Sequence, residues 1–158
     1  MARTDKQRFA VAERAVEAVD ARTAGATEVI LGNGGTRQSF DLDEGGMCNR
    51  FVRQCVETAL GLVPFTWAYR GATAKATLAK LEAAGKRVPL ADRQIGDILG
   101  IEMAGPGHIV IYLGNLFDPN KELVAENTSA HRGFPRPPGT KVTSFASLKS
   151  RITGCYRP

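Results

Sequence analysis

The sequence predicts an α+β domain, with helices in its first half and an antiparallel sheet in its second. Two patterns carry this. Up to Gly85, apolar residues recur at helical spacing in three stretches, each followed by a glycine (Gly25, Gly61, Gly85). After Gly96-Asp97 the pattern changes to short runs rich in Ile, Val and Tyr, divided by Gly/Pro turns. The chain has 158 residues, enough for one hydrophobic core, and 43% hydrophobic with 23% charged residues is a globular composition.

Each element has a local reason. Residues 5–22 read as a helix that Thr4 or Asp5 can cap, with Phe9, Ala12, Val16 and Val19 at helical spacing. Residues 27–31 form a short apolar run of strand type. Gly32-Asn33-Gly34-Gly35 is a turn, because the Lys-Ser/Thr of a phosphate loop is missing. A second helix runs from Cys48 to Leu60, where Gly61 stops it. Its apolar set is Phe51, Val52, Cys55, Val56, Ala59 and Leu60, and Arg50, Arg53, Glu57 and Thr58 fall outside that face. Residues 64–67 form a loop, and Ala-rich residues 72–84 form a third helix. Residues 98–103 and 108–113 read as a hairpin around Ala104-Gly105-Pro106-Gly107, and residues 122–128 as a third strand. Residues 131–140 carry three prolines and two glycines and read as a loop. Residues 142–145 and 151–156 are closing strands with a short helical turn between them.

Composition narrows the function classes. No apolar run approaches the roughly 20 residues of a membrane-spanning helix, so membrane insertion is not expected. The N-terminal stretch is interrupted by charge and has no signal-peptide core, which predicts a chain that is cytoplasmic as synthesised. The net charge of +5 and pI near 9.4 favour anionic partners, but no basic stripe interleaved with aromatics marks a nucleic-acid surface. Cys48, Cys55 and Cys155 are too few for a disulfide framework, and with only His108 and His131 available no zinc spacing appears. No metal and no cofactor are expected.

Three places carry reactive chemistry. Cys48 opens a helix, where the dipole and the unpaired N–H groups of the first turn favour an anion; a thiolate there is a nucleophile, and the same N–H groups can hold an oxyanion. Cys55, by contrast, lies squarely on the apolar face. His108 follows a Gly-Pro-Gly turn and opens a strand, as a general base beside that helix would. Glu126 and Asn127 end the next strand, and strand alternation lets only one of them reach His108. Both parities of that strand are apolar, so the choice stays open, with a slight preference for Asn127.

These blocks resemble a known family in its order. Gly46-Met-Cys48-Asn-Arg-Phe-Val-Arg-Gln54 resembles the nucleophile helix of NlpC-type peptidases, whose pattern is Asp-Cys-Ser-Gly-Phe-Val. Gly96-Asp97-Ile98 followed by Gly107-His108-Ile-Val-Ile-Tyr-Leu-Gly114 is similar to that family's Gly-Asp-Leu segment and Gly-His-Val-Gly-Ile-Tyr strand. Ala125-Glu-Asn-Thr-Ser129 resembles the third-residue strand, particularly of the CHAP branch, and Gly154-Cys-Tyr-Arg-Pro158 is similar to the NlpC closing strand. The resemblance implies a papain-like fold and a cysteine hydrolase acting on amide bonds of peptidoglycan stem peptides, as endopeptidase or amidase, with Cys48 as nucleophile and His108 as base. It implies a single catalytic domain over 1–158, with 1–40 as a helical extension that caps the domain or restricts access, and 41–158 as the papain-like core. A phage-associated enzyme would reach the wall without a signal peptide.

The sequence also departs from the family. Met47 stands where many members have Asp, and Asn49-Arg50 replace Ser-Gly at positions that help recognise the amino end of a stem peptide. Asn49 and Arg50 are therefore candidate substrate contacts of altered preference. Trp67, the only tryptophan, is a candidate cleft residue, although a core position suits it better. His131, Arg132, Arg136 and Lys141 form a candidate basic rim, with a solvated loop as the plainer reading. Two other functions fit the same motifs: a papain-like hydrolase or acyltransferase working on a non-wall amide or thioester, and an inactive wall-binding module.

Overall fold

In the computed structural model, residues 4–129 and 138–158 are described. The chain is of the α+β class. Helix α1 (Asp5–Thr23) starts at a capping box in which Thr4 accepts from the Gln7 N–H and the Gln7 side chain accepts from the Thr4 N–H. A two-stranded antiparallel hairpin follows, β1 (Glu28–Leu31) with β2 (Gln38–Asp41). Helix α2 (Cys48–Leu60) ends at Gly61, which takes the left-handed conformation at φ +67°. Helix α3 (Ala74–Ala83) begins two residues later than its Ala-rich run, because the Thr73 hydroxyl accepts from the Ala76 N–H and caps it there.

The second half builds a six-stranded sheet. Its strands are β3 (Arg87–Val88), β4 (Ile98–Ile101), β5 (His108–Asp118), β6 (Lys121–Thr128), β7 (Gly139–Ser144) and β8 (Ile152–Tyr156). The order across the sheet is β3-β8-β4-β5-β6-β7, and all its pairings are antiparallel. The short helix α4 (Phe145–Leu148) is the predicted helical turn between the closing strands. Strand β7 starts at Gly139, inside the stretch read as a loop; residues 131–137 of that stretch lie outside the described residues.

The β5–β6 ladder is irregular in a way that bears on the site. At its turn Asp118 pairs with Lys121, farther along Gly114 pairs with Leu123, and then Tyr112 pairs with Val124 and Ile111 with Ala125. The two irregularities together shift the partners by an odd number of residues. Strand side chains alternate with a period of two, so an odd shift reverses which residues of β6 share a face with a given residue of β5.

One face of the sheet packs on the helices. Ile98, Ile109, Ile111 and Leu113 meet α2 through Phe51, Val52, Cys55 and Val56, and α1 through Val11, Ala12, Ala15 and Val19. Leu31 and Phe40 of the β1–β2 hairpin join the same core, so residues 4–40 share it with the rest of the chain. Arg22 ties the end of α1 to the sheet: its guanidinium donates to the carbonyls of Pro138 and Thr140, at 2.7 and 2.8 Å, and to Asp43 at 3.1 Å. On the opposite face Leu99, Val110, Tyr112 and Val124 pack under Phe145 and Leu148.

Two polar clusters are enclosed. Asp97, fully buried, accepts from the Gln94 N–H and from the Arg157 guanidinium at 2.8 and 3.0 Å, which fastens the chain beyond β8 to the start of β4. The other corrects the reading of α2. Arg53, Glu57 and Thr58 do not face solvent but are buried. Glu57 accepts from Arg53, from Gln38 of β2 and from the Trp67 N–H, so the face opposite the apolar stripe is closed by β2 and the 62–72 loop. Burial acts against the charged form of Glu57, but the hydrogen bonds from Trp67, Gln38 and Phe65 and the Arg53 charge outweigh it and hold its carboxyl below its ordinary range.

Candidate functional site

Cys48 is the first residue of α2. Its N-cap, Met47, supplies no side-chain cap, and no acidic residue stands in the first turn. The leading N–H groups of a helix have no partner within it, so this end of α2 presents free donors and the positive end of the dipole. The preceding turn is pressed against β6. A Cβ on Gly45 would stand 2.4 Å from the Thr128 carbonyl oxygen, and Gly46 has φ +79°. Only glycine fits the first position, and it is strongly favoured at the second.

Asn127 holds that turn in place. Its Oδ1 accepts from the Met47 N–H at 2.7 Å, and its Nδ2 donates to the Glu44 carbonyl at 2.7 Å and to Thr140 Oγ1 at 3.3 Å. Asn127 is therefore committed to the backbone ahead of Cys48. The slight preference for Asn127 as the partner of His108 is corrected. That partner is Glu126, whose Oε1 stands 2.8 Å from His108 Nε2, with Glu126 fully buried and His108 3% exposed. The shift in the β5–β6 ladder is the reason. The turn register would set His108 on the face of Asn127, and the odd displacement brings Glu126 there instead.

Cys48 is the other group that acts on His108, and with Nε2 facing Glu126 the ring nitrogen left for the thiol is Nδ1. Burial disfavours the charged imidazole, but the hydrogen bonds and negative charge of Cys48 and Glu126 outweigh it and push His108 up to about 9. The turn before His108 is fixed from the other side, where the Lys75 N–H at the start of α3 donates to the Pro106 carbonyl at 2.8 Å.

Over Cys48 opens a cleft of about 410 Å³, lined by residues 46–50, 53, 65, 71–74, 106 and 107. Cys48 is partly exposed to it, whereas Cys55 and Cys155 are buried. Desolvation, with Asp97 beside it, pushes the Cys155 thiol up to about 12, and burial raises Cys55 further still. Asn49 lines the cleft, but both its polar atoms are engaged: Nδ2 donates to the Gly71 carbonyl at 2.8 Å, and Oδ1 accepts from Thr77 Oγ1 at 2.7 Å. It braces α2 against α3. Arg50 lines the cleft and is exposed.

Trp67 is 3% exposed and does not line the cleft; it packs in the core, edge-on to Tyr69, so its candidacy as a cleft residue is replaced by the core position. His131, Arg132 and Arg136 of the candidate rim lie outside the described residues, while Lys141 pairs across from Glu126 in β7. One rim residue escaped the sequence reading. Phe65 is 63% exposed, adopts φ +67°, and lays its ring over the Arg53 guanidinium at 4.0 Å. The i,i+4 spacing of Arg53 and Glu57 was the available signal for the ion pair beneath it.

Among the described residues, no three His, Cys, Asp or Glu side chains group as a metal site, and no helix is long and apolar enough to cross a membrane. No protein-family model matches this chain, and no curated protein matches it.

Proposed function

We propose that this protein is a papain-like cysteine hydrolase of the NlpC/CHAP type that cleaves an amide bond in peptidoglycan stem peptides, as endopeptidase or amidase. One observation carries the chemistry: a partly exposed thiol at a helix start acts on a buried imidazole, and a buried carboxylate holds that imidazole's Nε2. The wall substrate rests on the family resemblance of the sequence blocks.

The reaction follows from these positions. His108 Nδ1 takes the Cys48 proton, and the thiolate attacks the amide carbonyl carbon. The C–S bond forms as the carbonyl π pair moves to oxygen, where the free N–H groups of the first turn of α2 receive the negative charge. The intermediate collapses, the C–N bond breaks, and His108 gives its proton to the departing amine. Water then loses a proton to His108 and attacks the thioester, which releases the acid and restores the thiol. Glu126 fixes the ring orientation and stabilises the imidazolium throughout.

A second reading has its own support. Met47 stands where many members of the resembling family have Asp, and among the described residues no carboxylate lines the cleft to receive a free amino terminus. This favours a hydrolase or acyltransferase on a non-wall amide or thioester. Digestion of purified peptidoglycan by wild type and Cys48→Ala, with mass spectrometry of the released fragments, separates the two. Release by wild type alone is expected, and the fragment masses identify the bond. Equal release by both proteins removes Cys48 from the mechanism, and no release by either favours the non-wall substrate.

A further inference from the structure

The charges around the cleft are one-sided. Among the described residues two guanidinium groups line it, Arg50 and Arg53, and no carboxylate does. Arg53 is neutralised from beneath by Glu57, with which it forms a buried ion pair. Arg50 has no hydrogen bond or ion pair among the described residues, and its side chain is exposed. Residues two apart ordinarily face different sides of a helix. Cys48 and Arg50 nevertheless share the cleft, because it opens over the end of α2 and takes in the whole first turn. The dipole of α2 adds positive potential at the same point.

A cleft with an exposed, unpaired cation and, among the described residues, no acidic wall suits an anion. We propose that the substrate carries a carboxylate beside the bond that is cleaved, and that Arg50 reads it as the specificity-determining residue. This rests on the reading of Cys48 as nucleophile. Guanidinium meets carboxylate through a planar fork of donors, so recognition is by geometry as well as charge. Phe65 supports the arrangement from the rim. Its ring covers Arg53 and separates that neutralised pair from solvent, leaving Arg50 as the free cation of the cleft among the described residues.

The test uses Cys48 itself and needs no natural substrate. Iodoacetate and iodoacetamide alkylate a thiolate by the same displacement of iodide, and one is anionic while the other is neutral. The second-order rate constants for Cys48 in the full chain are measured with each reagent at pH 7 and low salt, for wild type, Arg50→Ala and Arg50→Lys. The imidazolium of His108 attracts iodoacetate in all three proteins, so the comparison lies between proteins and not between reagents. The iodoacetate-to-iodoacetamide ratio is expected to be about five- to tenfold higher in wild type than in Arg50→Ala, the size of one unit charge acting across a hydrated cleft. Arg50→Lys should keep most of the ratio, and added salt should narrow the difference. Equal ratios in wild type and Arg50→Ala overturn the proposal, and so does a Lys variant that loses as much as the Ala variant. A Cys48 that neither reagent modifies overturns this proposal and the nucleophile together. An intact ratio beside a failed peptidoglycan digest rejects only the wall substrate, because alkylation requires no amide.

Discussion

Glu126 Oε1 and His108 Nε2 lie 2.8 Å apart, and both side chains are buried. The carboxylate therefore acts on the imidazole through little intervening solvent, and it is one of the groups that push His108 up to about 9. In an imidazolium–thiolate pair, activity falls on the alkaline side when the imidazolium loses its proton. Wild-type kcat/KM should accordingly decline near pH 9. Glu126→Gln should move that decline to lower pH, since removing the negative charge disfavours the imidazolium, and should lower kcat/KM by about a hundredfold. An alkaline limb that stays in place in Glu126→Gln contradicts the assignment.

The same pair links folding to pH. A raised histidine pKa stabilises the fold fully below the ordinary value of 6.5, and that stability is lost as pH rises through about 9. The excess stability of wild type over Glu126→Gln, read from denaturant unfolding, should be greatest near pH 6 and should shrink through pH 9. A constant excess across that range would separate Glu126 from the ionisation of His108.

Asn127 predicts a different signature. Truncation to Ala leaves the Met47 N–H and the Glu44 carbonyl without their partner, at a cost of about 2–3 kcal/mol. Activity should fall because the turn ahead of Cys48 loosens, but the alkaline limb should remain near pH 9. A shift of that limb in Asn127→Ala would return Asn127 to the role of orienting His108.

Beneath the cleft, Glu57→Gln leaves the buried Arg53 without its counter-charge and should destabilise the fold by about 3 kcal/mol at neutral pH. The lowered Glu57 pKa means that its contribution is present above the ordinary carboxylate value and is lost as pH falls through the folded one. The gap between wild type and variant, followed by urea unfolding, should narrow at acid pH. A gap independent of pH would show that the charge of Glu57 contributes nothing.

The three thiols should divide sharply. In the native protein an alkylating reagent should add one group, at Cys48, and in guanidinium it should add three, since Cys55 and Cys155 are buried with raised thiol pKa values. Intact-mass measurement reads this directly, and native labelling at Cys155 would contradict the packing of β8 on Asp97.

The elements with strong local signals were legible in the sequence. Helix α2 was readable from Cys48 to Gly61, because a six-residue apolar stripe and a left-handed stop mark its length. The β4–β5 hairpin was readable from its Gly-Pro-Gly turn. Strands β2 and β3 were not, because four and two residues carry too little alternation and their partners lie elsewhere in the chain. The burial of Arg53 and Glu57 was hidden for a related reason: whether a polar helix face meets water or a loop is decided by residues distant in sequence. The choice between Glu126 and Asn127 hung on irregularities in a ladder, which the composition of β6 does not record.

Asn49, bonded to Gly71 and Thr77, and Asn127, bonded ahead of Cys48, anchor the base of the cleft, while much of its rim comes from the 62–72 loop and the Pro106-Gly107 turn. The molecule thus divides what is inherited from what is negotiable. The groups that the proposed reaction uses sit on a helix and two strands that the core also requires, whereas part of the rim, such as the exposed Phe65 side chain, lies outside that core. Under the proposed reading, the frame sets the chemistry and the rim sets what reaches it.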